Sequence, residues 1–347
     1  MAQASSPVRL RLDGDALVAN WRALARLSGS AATGAAVKAD GYGLGAREVV
    51  TRLRDAGCRD FFVAHWAEAA VIADLVPAEQ IAVLNGIDAS DIASSRAIGA
   101  IPVLNTPNQI ALWKAAGGGR CHVMLDSGIN RLGIGPEQFS PVLFDGLNVD
   151  ILMSHLASAD EDVEQNARQV TLFSGLAERV NAQRRSLANS AGIMLGSQYH
   201  FDLTRPGLSL YGGIARPDMA HRIAQVVYIS VRILQVRELQ AGDAVGYNAT
   251  HVCAAPTRVA TLSIGYADGY FRGFSDTGKA AEAGLEFPVI GRVSMDLVTV
   301  DVTAAHGVGE GDWIDIAYNL AEASRASGLS QYELLTGLGD RFERRWF

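Results

Sequence analysis

The feature that most constrains the fold is a repeated alternation of short apolar runs with amphipathic segments over about the first 225 residues. Each repeat predicts a buried strand followed by a helix, which is typical of parallel strands joined by crossovers. Eight such units in roughly 200 residues favour a closed (β/α)8 barrel over an open sheet. The predicted strands are 35–38, 61–64, 81–85, 101–104, 122–126, 150–154, 192–196 and 207–211.

The pattern changes near residue 225, where β-branched alternation and Gly or Asp turns replace the helical periodicity. We therefore predict an α/β chain with two domains, a barrel at 1–225 and a mostly β domain at 226–347. The amphipathic helices of the first domain are predicted at 15–27, 47–56 and 162–184. The strands of the second are predicted at 226–236, 258–264, 288–293, 297–302 and 313–317, before a helix at 331–338 and a charged tail.

Charge and hydropathy exclude several classes of protein. The 30 Lys and Arg against 37 Asp and Glu give a net charge of −7, which leaves no basic footprint for nucleic acid. No stretch of 18 residues lacks all four charged residue types, so no membrane span is predicted. The N-terminal sequence MAQASSPVRLRLDGD lacks the layout of a secretory signal, so we expect a cytoplasmic protein. Cys58, Cys121 and Cys253 have no C-x-x-C spacing, so we expect buried free thiols and no metal site.

A lysine ends the first predicted strand in the segment AAVKADGYGLG, 35–45. Burying its amine costs several kcal/mol unless the amine is paired or neutral. At the mouth of a barrel, Lys38 could form a Schiff base with an aldehyde cofactor, or it could extend its amine to solvent. The glycines match neither a phosphate-binding P-loop nor a dinucleotide-binding fingerprint.

Polar residues also follow other predicted strands, at the rim where barrel active sites lie. They are Asp126 to Arg131 (DSGINR), Ser154 with His155, Asn189 with Ser190, and Arg205 to Gly207 (RPG). Taken singly, His155 could be a structural histidine, and Asp126 with Arg131 could be a surface ion pair. Together they indicate one site at the rim.

Seven motifs then occur in order: VKADGYGLG, SHLASAD, ANSAG, TRPGLSLYG, SIGYADG, GRVSMD and YELLTGLGDR. With them the chain resembles the alanine racemase family from about Leu10 to Arg341. The lysine signature alone occurs in several fold relatives, whereas SIGYADG combined with GRVSMD is specific to the racemases. The resemblance implies a pyridoxal 5′-phosphate enzyme with a barrel domain and a C-terminal β domain.

The resemblance also implies roles for single residues in binding this cofactor. Lys38 matches the lysine that holds pyridoxal phosphate as a Schiff base and then acts as a base on one face of the substrate. Arg205 matches the residue facing the pyridine nitrogen, where it offers no transferable proton and so suppresses transamination and decarboxylation. The phosphate contacts match Tyr42, Ser190, the backbone N–H groups at Gly207 and Leu208, and Tyr332.

The second base implied by the resemblance is Tyr266, in SIGYADG. Two bases on opposite faces suit inversion, because one removes the α-proton and the other returns a proton from behind. His155 matches the histidine that assists this tyrosine. Arg131 matches the arginine that orients the substrate carboxylate, with the backbone N–H of Met295 nearby. The family further implies a homodimer whose sites are shared, with Lys38 from one subunit and Tyr266 from the other.

Three positions depart from the family pattern. Many relatives carry a carbamylated lysine seven residues before Arg131, where this chain has Met124. Methionine cannot be carbamylated, so we expect Arg131 to be fixed through Asn130, Asp126 or a bound anion. Leu44 stands where histidine is common, and we expect little consequence from it. Ser294 stands where cysteine is usual.

We therefore expect an alanine racemase that interconverts L- and D-alanine and serves peptidoglycan precursor synthesis or D-alanine catabolism. A racemase of serine or of broader specificity is the nearest alternative. A barrel-fold decarboxylase would want an acid at the pyridine nitrogen and lacks SIGYADG. A non-enzymatic pyridoxal-phosphate carrier would be a single barrel, which the β-rich region after residue 225 opposes.

Overall fold

A computed structural model describes residues 6–347. The chain separates into two compact units. The barrel unit is Leu17–Ala224, and the β unit is the chain up to Ala16 together with Gln225–Phe347. No helix within residues 6–347 has the length and apolar character needed to cross a bilayer.

The barrel unit contains a ring of short parallel strands. Seven strands pair in chain order: Ala35–Ala36, Phe61–Val63, Ile81–Val83, Ile101–Leu104, Arg120–Met124, Asn148–Met153 and Ala182–Ser186. The eighth, Leu203–Thr204, pairs in parallel with Ala32–Thr33. The N–H of Arg205 donates to the carbonyl of Ala188 at 2.8 Å, which ties this strand to its other neighbour. The predicted (β/α)8 barrel is thereby confirmed.

Helices fill the connections, and their buried faces follow from the sequence pattern. In Ala46–Ala56 the buried residues Val49, Val50 and Leu53 form one stripe, and the helix ends at Gly57 with a φ of 113°. The other helices described before residue 225 are Gly14–Leu27, Trp66–Ile72, Ile92–Ile98, Pro107–Ala115 and Glu164–Ala177, and Lys38–Tyr42 forms a single turn. The β unit contains the helices Leu320–Ser327 and Gln331–Thr336.

Two predicted barrel strands are wrong. The segments 192–196 and 207–211 form the 3-10 turns Gly192–Leu195 and Leu208–Tyr211. The seventh strand is instead Ala182–Ser186, whose sequence AQRRS is polar and whose first three residues fall within the helix predicted at 162–184. The helix ends earlier, at Ala177. The strand tolerates its arginines because Arg184 forms ion pairs inside the barrel unit.

Those ion pairs lie near the amino ends of the strands, at the rim opposite the predicted site. Asp150 is 1% exposed and is paired with Arg120 at 2.8 Å and Arg184 at 3.1 Å. His122 is buried beside it, and its Nδ1 accepts the N–H of Ile151 at 3.1 Å. Burial lowers the pKa of His122 to about 3, although the Asp150 charge acts in the opposite direction.

The β unit consists mostly of strands, as predicted, and most of its strand pairs are antiparallel. Its strands are Val8–Leu12, Val227–Leu239, Ala244–Val245, His251–Val252, Thr257–Leu262, Lys279–Glu282, Leu285–Pro288, Val298–Asp301, Trp313–Ile316 and Glu343–Trp346. The long strand Val227–Leu239 pairs with Val8–Leu12, Thr257–Leu262 and Trp313–Ile316.

Several parts of the β unit differ from the sequence-based expectation, including the strands Ala244–Val245, His251–Val252 and Lys279–Glu282, which are not among the predicted strands. Val8–Leu12 pairs within the sheet of the β unit, whereas the sequence-based prediction places it in the first domain, 1–225. Residues 1–5 of that predicted domain lie outside the described part of the chain. The charged tail forms the strand Glu343–Trp346, parallel to Val8–Leu12. The strand predicted at 288–293 ends at Pro288 and begins at Leu285, with only a bridge from Val289 to Val300 beyond it.

Candidate active site

Lys38 lies directly beyond the first barrel strand, at the start of an unusual turn. Ala39, Asp40, Gly41 and Tyr42 all have positive φ, between 53° and 62°, so the chain makes a left-handed turn. Such a conformation costs non-glycine residues roughly 1–2 kcal/mol each. Glu68 offsets part of this strain, since its carboxylate accepts the N–H of Ala39 at 2.7 Å. The strained turn fixes the backbone from which the lysine side chain extends.

The amine of Lys38 is tuned toward its neutral form. Its side chain is half-buried, and burial is the largest cause that lowers its pKa below the ordinary value. The positive charge of Arg131 lowers the pKa further, while Glu68 acts in the opposite direction. A neutral amine can attack an aldehyde or accept a proton, so the prediction for Lys38 gains a physical basis.

Tyr42, Gly207 and Ser190 form a close-packed cradle. The rings of Tyr42 and Tyr211 stack with centroids 4.6 Å apart. A Cβ at Gly207 would lie 2.3 Å from the Tyr42 hydroxyl, so only glycine fits there. The hydroxyl of Ser190 accepts the N–H groups of Gly207 at 3.0 Å and Ser209 at 3.3 Å. Its own proton is therefore directed away from these groups and is available to an anion.

Arg205 is 7% exposed, and its guanidinium contacts only neutral acceptors. It donates to the hydroxyl of Ser186 and, at 2.5 Å, to the carbonyl of Ser154. No ion pair in the described part of the chain includes it. Burial lowers its pKa to about 10, so it remains a cation near neutral pH. It presents a fixed positive charge where a carboxylic acid would present a proton.

His155 follows the sixth barrel strand and shares its surroundings with three basic side chains. Burial lowers its pKa to about 3, and Arg205, Arg131 and Lys38 act in the same direction. The imidazole is consequently neutral at physiological pH. Gln169 holds the backbone on both sides, because its Nε2 donates to the carbonyl of His155 at 3.0 Å and its Oε1 accepts the N–H of Ala157 at 2.9 Å.

Arg131 lies on the exposed loop after the fifth strand, and Met124 ends that strand. Met124 is buried with 7% of its surface exposed. Another lysine of the chain, Lys114, does not replace the missing one, because its amine donates a hydrogen bond to the carbonyl of Leu143 at 2.9 Å. The backbone N–H of Arg131 donates to Asp126 at 3.2 Å. The carboxylate of Asp126 is thus the acidic group in direct contact with this residue.

The β unit holds Tyr266 and Met295 on two segments whose backbones touch. The N–H of Tyr266 donates to the carbonyl of Ser294 at 3.0 Å, and that of Ala267 to the carbonyl of Met295 at 3.0 Å. A Cβ at Gly265 would lie 2.3 Å from the Met295 carbonyl oxygen. The backbones of SIGYADG and GRVSMD can therefore come this close only because residue 265 is glycine. The ring of Tyr266 also lies beneath the guanidinium of Arg272, 5.4 Å from its centroid.

Arg341 joins the same two segments to the last motif, YELLTGLGDR. It pairs with the buried Asp268 at 2.7 Å and with Asp296 at 2.7 Å. Asp296 therefore has an ion-pair partner in addition to its place in a turn. Tyr332, in the helix Gln331–Thr336, is 47% exposed. The hydroxyl of Ser330 caps this helix by accepting the N–H of Glu333 at 3.2 Å.

The barrel unit thus gathers most of the predicted residues at one rim, and the β unit carries the other three. The rim set is Lys38, Tyr42, Arg131, His155, Ser190, Arg205, Gly207 and Leu208, and the β-unit set is Tyr266, Met295 and Tyr332. Sequence reasoning missed Glu68, Gln169 and Ser186, which hold the rim residues in place. No local motif marks them, because each acts from a different strand or helix.

These groups fit pyridoxal phosphate. A lysine with a lowered pKa suits its aldehyde, and the Ser190 hydroxyl beside the start of the turn Leu208–Tyr211 suits its phosphate. The absence of a side chain at Gly207 lets the Tyr42 hydroxyl lie against its backbone, beside Ser190. The buried Arg205, which has no carboxylate partner, suits the pyridine nitrogen of the cofactor ring.

Comparison with known proteins identifies the family. Models of the alanine racemase N-terminal and C-terminal domains match residues 12–215 and 226–346. An alanine racemase of Rhodospirillum rubrum is 43% identical, covering 97% of this chain and 95% of its own. One of Acidiphilium cryptum is 40% identical, covering 96% and 97%. The crystal structure of alanine racemase from Bartonella henselae with covalently bound pyridoxal phosphate superposes with a TM-score of 0.92 at 33% identity, covering 99% of this chain and 100% of that one. The chain belongs to the alanine racemase family.

Proposed function

We propose that this chain interconverts L- and D-alanine with pyridoxal phosphate and that Lys38 and Tyr266 are its two bases. The observation that carries the proposal is the buried Arg205 guanidinium, bound only by neutral acceptors, at the rim that also holds Lys38. Together, Arg205 and Lys38 favour removal and return of a proton at the α-carbon, which is racemisation. They disfavour the other reactions that the same cofactor allows.

We assign the holding of the cofactor to the chain's own residues. Lys38 would bind it covalently, and Tyr42, Ser190, Tyr332 and the N–H groups of 207–208 would hold its phosphate, with the N–H of Gly207 exchanging its present acceptor, the Ser190 hydroxyl, for the phosphate. When bound, pyridoxal phosphate acidifies the α-proton of an amino acid that is attached to it. Hydroxyl and amide donors would neutralise the phosphate in place of a lysine or arginine clamp.

Lys38 and Tyr266 would exchange the α-proton from opposite faces. The lowered pKa of Lys38 leaves a larger neutral fraction of the amine to accept a proton on one face. The phenol of Tyr266 would return a proton on the other face, and its phenolate would accept one in the reverse direction. His155, neutral because of its low pKa, would assist this tyrosine as a hydrogen-bond partner and would not take up the proton itself. Arg131 orients the substrate carboxylate.

Arg205 would keep the reaction at racemisation. It remains charged near pH 7 and has no proton to give to the ring nitrogen, so negative charge at the α-carbon is less delocalised and is reprotonated quickly. Reprotonation at the α-carbon from the opposite face gives the enantiomer. Reprotonation elsewhere would give transamination.

We further propose a homodimer in which each site combines the barrel unit of one subunit with the β unit of the other. The assignment of Lys38 and Tyr266 to different units, and the 53% exposure of Met295 beside Tyr266, support a shared site. The physiological role stays open between synthesis of peptidoglycan precursors and catabolism. A relative in Agrobacterium fabrum is named biosynthetic and one in Rhizobium johnstonii catabolic, at 38% and 40% identity. The cytoplasmic location stays a prediction.

The test is α-hydrogen exchange in D2O. With pyridoxal phosphate present, the protein should exchange the α-hydrogen of both L- and D-alanine and should bring either enantiomer to a racemic mixture. The variant Lys38→Ala should do neither, whereas Lys114→Ala should match the wild type. Cofactor binding without exchange would indicate a carrier, and release of CO2 a decarboxylase. A survey of the other amino acids decides between alanine and a broader specificity that includes serine.

A further inference from the structure

The loop that carries Arg131 is closed at its base. Leu125 and Ile134 form a parallel bridge across its two ends. The N–H of Asp126 donates to the carbonyl of Ile134 at 3.0 Å, and the N–H of Ile134 to that of Met124 at 2.9 Å. A Cβ at Gly133 would lie 2.7 Å from the backbone nitrogen of Asp126, so the ends approach as closely as glycine permits. The loop is therefore a small closed unit with Arg131 near its tip.

The carboxylate of Asp126 fills this loop. Its Oδ1 accepts the N–H groups of Gly128 at 2.8 Å, Ile129 at 3.0 Å and Asn130 at 3.1 Å. Its Oδ2 accepts the N–H of Arg131 at 3.2 Å. The side chain is buried, with 8% exposure for the residue. Asn130 adopts the left-handed conformation that the turn needs, with a φ of 56°.

Four backbone donors thus compensate a buried negative charge. No ion pair in the described part of the chain includes either Asp126 or Arg131. The position seven residues before Arg131, where many relatives carry a carbamate, holds the uncharged Met124. The structure therefore holds Arg131 through its backbone, by the N–H bond to Asp126.

We infer that Asp126 is the positioning residue of Arg131, and that its carboxylate replaces an acidic group beside the guanidinium by fixing the loop from inside. This inference rests on the proposed role of Arg131 toward the substrate carboxylate. Two further bonds tie the loop to its surroundings. Gln165 donates to the carbonyl of Gly128 at 3.3 Å, and the hydroxyls of Ser127 and Ser154 lie 2.7 Å apart.

Asp126→Asn is a selective perturbation because the two oxygens have different partners. The amide oxygen can keep the three N–H groups at Oδ1, while the NH2 group faces the N–H of Arg131, donor against donor. Asp88→Asn is the matched control, since Asp88 also caps a turn, accepting the N–H groups of Ser90 at 2.7 Å and Asp91 at 3.2 Å. We expect Asp126→Asn to lower kcat/KM for alanine by about tenfold or more, and Asp88→Asn to leave it unchanged.

A double-mutant cycle with Arg131→Ala separates positioning from general stability. Asp126→Asn should lower kcat/KM in the wild-type background and change it less than about twofold when Arg131 is already Ala. The same loss in both backgrounds, or no loss in either, would overturn the inference. Full activity of Arg131→Ala alone would instead remove the proposed role of Arg131, and with it anything for Asp126 to position. If Asp126→Asn does not fold, Asp126→Glu keeps the charge, displaces the oxygens by one methylene, and enters the same cycle.

Amide hydrogen exchange gives a readout that does not depend on turnover. In the cofactor-free protein, Asp126→Asn should raise exchange of the amides of 128–131, by about tenfold at Arg131, while Asp88→Asn should affect only those of Ser90 and Asp91. Unchanged exchange at Arg131 would contradict the inference. So would activity of the wild type that rises with added chloride or bicarbonate, since an anion would then hold the arginine.

Discussion

The contact between Gly207 and Tyr42 allows a direct test of the cradle. In Gly207→Ala the new Cβ would lie 2.3 Å from the Tyr42 hydroxyl oxygen and 3.0 Å from Cζ, whereas ordinary contacts begin at 3.4 Å. The tyrosine would have to retreat by about 1 Å, and its stacking on Tyr211 resists that movement.

We expect Gly207→Ala to lower the free energy of unfolding of the cofactor-free protein by about 1–3 kcal/mol, the usual range for overpacking. Urea denaturation measures this change. Affinity for pyridoxal phosphate should fall as well, because Tyr42 is displaced. The control is Gly175→Ala, on an exposed helix position with nothing within 4 Å of the new Cβ, and it should be neutral or stabilising by up to about 1 kcal/mol.

A second substitution identifies the clash. Removing the hydroxyl in Tyr42→Phe eliminates the 2.3 Å contact, so the double variant should recover more than half of the stability lost in Gly207→Ala. If Gly207→Ala unfolds at the same urea concentration as the wild type, or if Tyr42→Phe gives no recovery, the cradle is not packed as described.

Three other outcomes follow from the same structure. Borohydride reduction of the cofactor-loaded protein should label the peptide of Lys38, and label on Lys114 or Lys279, the only other lysines, would refute the assignment. The pKa of His122 is about 3 in the fold, whereas an unfolded histidine titrates near about 6.5, so the unfolded chain binds more protons between these values. The free energy of unfolding should therefore fall as pH drops from about 6.5, less so in His122→Asn than in the wild type, and equal slopes in urea denaturation would contradict this. Because Met124 cannot carry a carbamate, mass spectrometry of the native protein should find none, and a carbamate on Lys114 or Lys279 in contact with Arg131 would show the alignment of this segment to be wrong.

Periodicity predicted the first six barrel strands but not the last two. The strand Ala182–Ser186 has the polar sequence AQRRS, which does not look like a buried strand. It is stable in the barrel unit because Arg184 forms ion pairs with Asp60 and Asp150. Leu203–Thr204 has only two paired residues, too few for any period to show. Its apolar neighbour 207–211 looks like a strand but turns back beneath Tyr42. Ion pairs and short pairings between distant segments leave no local pattern.

The N-terminal strand shows the same limit from the other side. VRLRL alternates as a half-buried strand should, and the structure buries its apolar positions Val8, Leu10 and Leu12. Its partners begin at Val227 and Glu343, more than 200 residues away. A single sequence contains the alternation but not the pairing, so the domain to which the strand belongs could not be predicted.

The predicted site residues depended on motifs, and the structure adds the contacts that support them. Lys38 and Arg205 are recognisable because their chemistry needs those residue types at strand ends. The pKa of Lys38 depends on burial and on Arg131, and Arg205 depends on Ser186, which no motif marks. Such supporting contacts come from separate strands and become visible only after the barrel has closed.

The central claim, two bases contributed by two subunits, is tested most directly by mixing two inactive variants. Lys38→Ala and Tyr266→Ala should each be inactive as homodimers. After unfolding and refolding together, about half of the dimers should be mixed if pairing is random. In a mixed dimer with shared sites, one site has lost both bases and the other keeps both, so racemisation should return to about a quarter of the wild-type activity per chain. If mixed dimers are present and no activity returns, the sites lie within single chains and the placement of Tyr266 opposite Lys38 is wrong.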